Sequence, residues 1–98
     1  MNKTEIDIKK LEDAAGKLRA IAHPVRIAII SLLETHTELN VTEIYSKLNI
    51  EQAAASHHLN ILKNKGVLSS KRAGKQTFYF LKNEALVNII DCINKCSG

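Results

Sequence analysis

Residues 51–81 read EQAAASHHLNILKNKGVLSSKRAGKQTFYFL, and the spacing of the apolar residues changes midway along this stretch. In the first half they recur every three or four residues, which predicts a helix over about residues 51–64. Gly66 follows that segment, and a glycine at this place commonly ends a helix. The second half fits two strands joined by a glycine-containing turn, and therefore predicts a β-hairpin over about residues 67–82.

The residues upstream contain three more segments with helical spacing of apolar side chains. They predict helices over about residues 4–20, 24–34 and 41–48. The second of these is apolar on most of its surface, so we expect it at the buried centre of the domain. Asn40 and Glu43 resemble a capping box, which would start the third.

The remaining segments complete the order of elements. Residues 35–39 are expected to form a polar loop, and apolar residues between about 83 and 96 predict a final helix. The order is then α-α-α-α-β-β-α, which is a mainly α chain with a small β-hairpin (α+β). Two helices joined by a tight turn and followed by a hairpin match the winged helix-turn-helix plan. We expect a single such domain over residues 1–98.

Composition limits the kinds of partner. The chain has 98 residues, enough for one domain, and 45% of them are hydrophobic. Its 14 Lys+Arg exceed its 10 Asp+Glu by four, which favours nucleic acid or a membrane surface as partner. No apolar run approaches the ~18 residues of a membrane span, and Met1–Lys10 lacks the apolar centre of a signal peptide. We expect a cytoplasmic protein that does not act on membranes.

The predicted helix over residues 51–64 has two different sides. At 100° per residue, Ala55, Leu59 and Leu62 cluster on one side. The other side is an arc of about 140° without an acid or a large apolar residue. That arc consists of Gln52, Ala53, Ser56, His57, Asn60 and Lys63. Its polar groups are those that contact base edges and phosphates, so we predict that it binds double-stranded DNA. An ordinary polar surface helix is the alternative.

The predicted hairpin carries a cluster of positive charge around its turn. Lys71, Arg72 and Lys75 flank Gly74 in this segment. A wing at this position would reach the DNA backbone or the minor groove, and we predict that Arg72 and Lys75 make such contacts. Basic hairpin turns also serve solubility alone, so the charge is supporting evidence for DNA binding.

Other classes of function fit the sequence less well. No Ser/His/Asp, paired-carboxylate or phosphate-loop pattern occurs at a meaningful spacing, so we expect neither an enzyme nor a cofactor. A winged-helix module that binds a protein partner is the alternative from a different class. The polar arc and the basic hairpin favour DNA over that alternative.

Three stretches of the chain form a recognisable set. They are LRAIAHPVRI at residues 18–27, ASHHLNIL at residues 55–62, and the segment 66–81 with its GVL, RAGK and Tyr79. Together they resemble the ArsR/SmtB family of winged-helix repressors, over about Leu18 to Leu81. The resemblance implies that Gln52, Ala53, Ser56 and His57 face bases or phosphates and that Arg72 and Lys75 belong to the wing.

The resemblance also implies a homodimer that binds a near-palindromic operator until an effector releases it. In the family, the first and last helices pair across the twofold axis. The apolar residues of both predicted end helices support a dimer independently of the resemblance. A monomer of 98 residues has too little surface to bury the apolar sides of both helices. The effector, the operator and the regulated genes cannot be inferred from the sequence.

The metal ligands of many family members are missing from this sequence. One family site uses the pattern Glu-Leu-Cys-Val-Cys-Asp-Leu, where this chain has Asn40 and Thr42 in place of the cysteines. The other uses carboxylates and histidines of the last helix, but the four histidines here all precede the wing. We therefore expect no Zn, Co or Ni sensing of the usual kind.

The two cysteines leave one alternative open. Cys92 and Cys96 stand four residues apart on the predicted last helix. Across a dimer axis they would give four thiols, which could bind a soft metal or respond to oxidation. The favoured interpretation is that Cys92 is a small buried residue and that Cys96 lies at a helix end.

The other three histidines are not expected to contact DNA. His23 precedes Pro24 and is expected in a turn or as a helix cap, while His58 lies nearer the core side of its helix. His36 is expected in the loop after the second helix.

Overall fold

The computed structural model describes residues 7–82. The elements are α1 (Ile8–Ile21), α2 (Pro24–His36), β1 (Glu38–Asn40), α3 (Val41–Leu48), α4 (Gln52–Asn64), β2 (Leu68–Ala73) and β3 (Gln76–Leu81). Four helices and a hairpin in this order confirm the predicted winged helix-turn-helix fold. The predicted final helix at about residues 83–96, with Cys92 and Cys96, lies outside the described residues.

Side-chain caps start the first two helices. Asp7 accepts hydrogen bonds from the backbone N–H groups of Lys9 at 3.0 Å and Lys10 at 3.2 Å, which starts α1. His23 caps α2, since its Nδ1 accepts from the backbone N–H of Val25 at 3.2 Å, and Pro24 occupies the first turn. The expectation that His23 is a turn or cap residue is therefore confirmed.

The second helix is longer than the sequence suggested. It was expected to end near residue 34, but it continues to His36, which lies in its last turn and not in a loop. Thr37 ends it with a φ of 68°, and its backbone N–H donates to the carbonyl of Leu33 at 3.1 Å. Thr35 and His36 are polar, and polar residues occur both in the last turn of a helix and in a loop. The sequence therefore does not distinguish the two at this place.

The prediction of a polar loop over residues 35–39 is wrong for its last two residues, which belong to a strand. Glu38–Asn40 form β1, which pairs antiparallel with β3 in a sheet of order β1-β3-β2. The alternation of the strand is visible only in the structure, where Leu39 is buried between the partly exposed Glu38 and Asn40. Three residues are too few to show a period of two in a sequence, and the pairing partner lies about 40 residues further on.

The two helices of the helix-turn-helix are defined by local capping and turn residues. The capping box is confirmed: Asn40 Oδ1 accepts from the backbone N–H of Glu43 at 2.8 Å, and Glu43 Oε1 accepts from that of Asn40 at 2.9 Å. Asn49 adopts a left-handed conformation with a φ of 55°, which ends α3 three residues before α4 begins. The bounds of α3 are those expected from the sequence.

The core within residues 7–82 consists of aliphatic side chains from α1 to α4 and from the hairpin. As expected, α2 lies at its centre, with three buried residues. The fully buried large side chains of the core are Ile29, Ile30, Leu33, Ile44, Leu59, Leu62, Val67 and Leu68. None of the helices within residues 7–82 is long and apolar enough to cross a membrane.

The wing is a tight hairpin. Strands β2 and β3 pair from Leu68 opposite Leu81 to Ala73 opposite Gln76, which leaves a two-residue turn. Gly74 occupies the first turn position with a φ of 64°, a conformation that favours glycine. The turn therefore places Lys75 at the end of the hairpin that is farthest from the core.

Candidate nucleic-acid interface

The second helix of the helix-turn-helix has an anchored side and an exposed side. Ala55, Leu59 and Leu62 are fully buried in the core, which fixes the rotation of α4 about its axis. We call the opposite side the polar face of α4. It consists of the six residues singled out from the sequence, Gln52, Ala53, Ser56, His57, Asn60 and Lys63, all of them exposed except Ser56, which is partly covered.

The electrostatics of the polar face suit an anionic partner. Residues 52–64 contain no acid, and Lys63 adds a positive charge in the last turn. Backbone N–H groups at the start of the helix carry a partial positive charge. Glu51, which sequence analysis had included in the helix, is its N-cap residue and makes no side-chain capping bond. The nearest acid along the chain therefore lies just before the polar face.

The positive charges of the wing are not equivalent. Lys71 Nζ lies 2.8 Å from Glu38 Oε2, so a carboxylate of β1 already offsets its charge. Arg72 and Lys75 are exposed, and within residues 7–82 neither forms an ion pair. These two are the wing residues predicted from the sequence.

Contacts with β1 and its neighbours join the wing to the helix-turn-helix. Asn40 lies opposite Phe78 of β3, and its side-chain Nδ2 donates to Gln76 Oε1 at 3.2 Å. The same Asn40 caps α3, so one residue connects the start of the helix-turn-helix with the start of β3, next to the turn of the wing. The cap is predictable from neighbouring residues, whereas this second contact depends on a partner 36 residues further along the chain.

A group of histidines lies behind the polar face. The ring of His58 is 4.6 Å from that of His23 and 5.3 Å from that of His57, measured between ring centroids. Its Nδ1 accepts a hydrogen bond from Arg26 Nε at 3.1 Å. Burial lowers the pKa of His58 below its ordinary value, and the charges of His23, Arg26 and His57 act in the same direction. The neutral form of His58 is therefore favoured.

Possible metal ligands are sparse in the described part of the chain. Between residues 7 and 82, no three His, Cys, Asp or Glu side chains group closely enough to hold a metal ion. Asn40, at the position of a family cysteine ligand, has its side chain committed to the cap and the wing.

A helix-turn-helix whose second helix is exposed along one polar side, followed by a basic hairpin, defines a winged helix-turn-helix DNA-binding domain. Comparison with known proteins identifies the family. Residues 23–70 match the family described as bacterial regulatory protein, arsR family. The chain is 37% identical over 90 residues to the transcriptional repressor PagR of Bacillus anthracis, covering 92% of this chain and 90% of PagR. The chain belongs to the ArsR family.

Solved structures and a further relative agree with this assignment. The crystal structure of PagR superposes with a TM-score of 0.82 at 36% identity, covering 89% of this chain and 99% of that one. The repressor SmtB of Mycobacterium tuberculosis is 40% identical over 83 residues, which cover 84% of this chain and 61% of SmtB. A homodimeric winged helix-turn-helix domain from Mycobacterium bovis shares the fold with a TM-score of 0.82 at 22% identity, covering 99% of this chain and 89% of that one.

The resemblance inferred from the sequence is thus confirmed. The chain is a transcriptional regulator of the ArsR family, and it is not an enzyme.

Proposed function

We propose that this regulator is a repressor that binds double-stranded DNA sequence-specifically, with the polar face of α4 in the major groove and the wing on the flanking backbone. The observation that carries the proposal is the division of α4 into two sides. One side is fully buried in the core, and the other is exposed, polar and free of acids over the length of the helix. A helix held in this way presents a fixed set of side chains to a groove.

Each residue type on the polar face suits a particular contact. Gln52 can bond adenine in a bidentate manner, and the small Ala53 allows close approach or contact with a thymine methyl group. Ser56, Asn60 and His57 can bond base edges or phosphates, and Lys63 can hold a phosphate. Arg72 and Lys75, exposed on the wing, would contact the backbone or the minor groove.

The proposal includes a homodimer, for which α1 is the main support. Ile8, Leu11 and Leu18 are 63%, 54% and 44% exposed, and they are the large hydrophobic residues that remain exposed within residues 7–82. At 100° per residue they share one side of the helix, within about 80°. A second copy would cover them. The Mycobacterium bovis domain of the same fold is homodimeric.

Such a dimer would bind a near-palindromic operator whose half-sites lie about one helical turn apart, roughly 34–36 Å. The usual metal sites are not part of the proposal. The alternative thiol site at Cys92 and Cys96 lies outside the described residues.

The test is selection of bound duplexes from a randomised pool, followed by gel-shift titration of the best sequence. We expect an inverted repeat, with specific binding at least about 1,000-fold tighter than binding to a scrambled duplex. His57→Glu should abolish specific binding because it places a carboxylate against the DNA. His36→Glu is the matched control, since it makes the same change on an exposed residue of α2, outside α4 and the hairpin. Failure to bind any duplex at low salt, or equal losses in both variants, would contradict the proposal.

A further inference from the structure

Arg26 connects three helices by hydrogen bonds. Its Nη1 donates to the carbonyl of Ala20, near the end of α1, at 3.0 Å. Its Nε donates to Nδ1 of His58, in the middle of α4, at 3.1 Å. Both bonds are partly buried, and a hydrogen bond with a charged donor is stronger than one between neutral groups. The guanidinium therefore ties α4 to α1 through α2.

The bond to His58 exists only while that imidazole is neutral. Nδ1 can accept a hydrogen bond when the proton is on Nε2, whereas a protonated imidazole has donors at both nitrogens. Protonation would therefore set an N–H group against the N–H of Arg26. It would also add a positive charge beside the guanidinium of Arg26.

His58 also contacts the residue of the polar face that lies next to it. The rings of His57 and His58 meet edge to face with centroids 5.3 Å apart, and His23 packs on His58 at 4.6 Å. A change in the position of the His58 ring would therefore change the support of the His57 ring. Among the described residues, the titratable and charged groups that act on His58 are His23 and Arg26 from the start of α2 and His57 from α4 itself.

We propose that Arg26 and His58 are positioning residues of the DNA-binding site, and that operator affinity falls when protonation of His58 breaks the bond between them. The inference rests on the proposed function, because it concerns the polar face of α4. It assigns a role to two residues that do not themselves contact DNA, and it gives the direction of the pH dependence.

The pH window follows from the direction of the pKa shift. The pKa of His58 lies below its ordinary value of 6.5, because burial and neighbouring positive charges disfavour the charged form. Above that ordinary value the bond is intact. As the pH falls below it and through the lowered pKa of the folded protein, the bond and the affinity that depends on it are lost.

The test compares the pH profile of operator affinity in the wild type and in His58→Asn. Asparagine keeps an acceptor near the place of Nδ1, does not titrate in this range and has a similar helix propensity. The selected duplex is titrated between pH 5.5 and 7.5 at constant ionic strength. The ratio of the two Kd values removes the effects of pH that do not involve His58. We expect wild-type affinity to fall relative to His58→Asn by up to about tenfold over this range. Affinity linked to one proton falls at most tenfold per pH unit below the pKa of the free protein, and that pKa lies below 6.5.

Two further measurements make the test decisive. NMR titration of the His58 ring should show a lower pKa in the DNA complex than in the free protein, because binding would select the neutral form. His36→Asn, at an exposed imidazole, should leave the pH profile unchanged. A Kd ratio that does not vary with pH, in a protein that binds its selected duplex, overturns this inference alone. Absence of DNA binding by the wild type at every pH overturns the proposed function and this inference with it.

Discussion

Removal of the positive charge at the tip of the wing should lower the salt dependence of DNA binding by a calculable amount. Lys75 is exposed in the two-residue turn, and it forms no ion pair with the described residues. If each Lys75 neutralises one phosphate, Lys75→Ala removes one contact per protomer. Lys71→Ala is the matched control. It makes the same change in the same hairpin and alters the net charge equally, but Lys71 Nζ is already 2.8 Å from the carboxylate of Glu38.

The magnitude follows from counterion release. Each neutralised phosphate contributes about −0.9 to the slope of log K against log salt concentration, so a dimer would lose about 1.8 from its slope. Between about 50 and 200 mM salt, this corresponds to a change of about 12-fold in the ratio of wild-type to Lys75→Ala affinity. The ratio is largest at low salt. For Lys71→Ala we expect a slope close to that of the wild type, because its charge is offset within the protein.

The assay is fluorescence anisotropy of the selected duplex at four or five salt concentrations, with a scrambled duplex in parallel. Lys75→Ala should weaken binding to both duplexes by similar factors, because phosphate contacts carry no sequence information. Equal slope changes for the two variants would show that net charge alone is responsible. An unchanged slope for Lys75→Ala would show that the tip of the wing does not contact phosphate. Either result refutes the assignment of this residue.

Two further predictions concern the frame of the site. Asn40→Ala should lower the free energy of unfolding by about 0.5–2 kcal/mol in urea denaturation, because it removes the cap of α3. Thr42→Ala, at an exposed position of the same helix, should have little effect, and equal effects would contradict the capping argument. Leu11→Glu should shift the protein from dimer to monomer in sedimentation velocity, whereas Glu12→Gln should not. An unchanged dimer would mean that α1 is not part of the interface.

The parts of the fold that the sequence predicted well depend on neighbouring residues. The Asn40–Glu43 box and Asn49 bound α3, and the helical period of α4 separates its buried side from its exposed side. Such signals span one or two turns of helix. They were sufficient to place all six predicted residues on the polar face of α4, although their contact with DNA stays a prediction.

The features that sequence analysis missed are contacts between residues far apart in the chain. Glu38–Asn40 become a strand only because β3 supplies hydrogen-bond partners about 40 residues later. Arg26 and His58 are 32 residues apart, and nothing in the spacing of either indicates the other. Both features are polar contacts whose partners are determined by the packing of the core. The sequence expectation for His58, that it lies towards the core, was correct but did not identify its partner.

These long-range contacts determine where the two DNA-binding elements stand relative to the rest of the domain. Asn40 and the β1–β3 pairing hold the wing against the start of α3, and Arg26 holds α4 against the end of α1. In the proposed dimer, α1 also carries the interface. A change in the packing of α1 would therefore move the carbonyl of Ala20, and with it the guanidinium of Arg26 and the ring of His58.

Coupling between dimerisation and DNA binding can thus be measured by comparing Arg26→Lys with the wild type. For each protein, the dependence of operator affinity on protein concentration is determined. If the two dependences are the same, the connection through Arg26 carries no coupling.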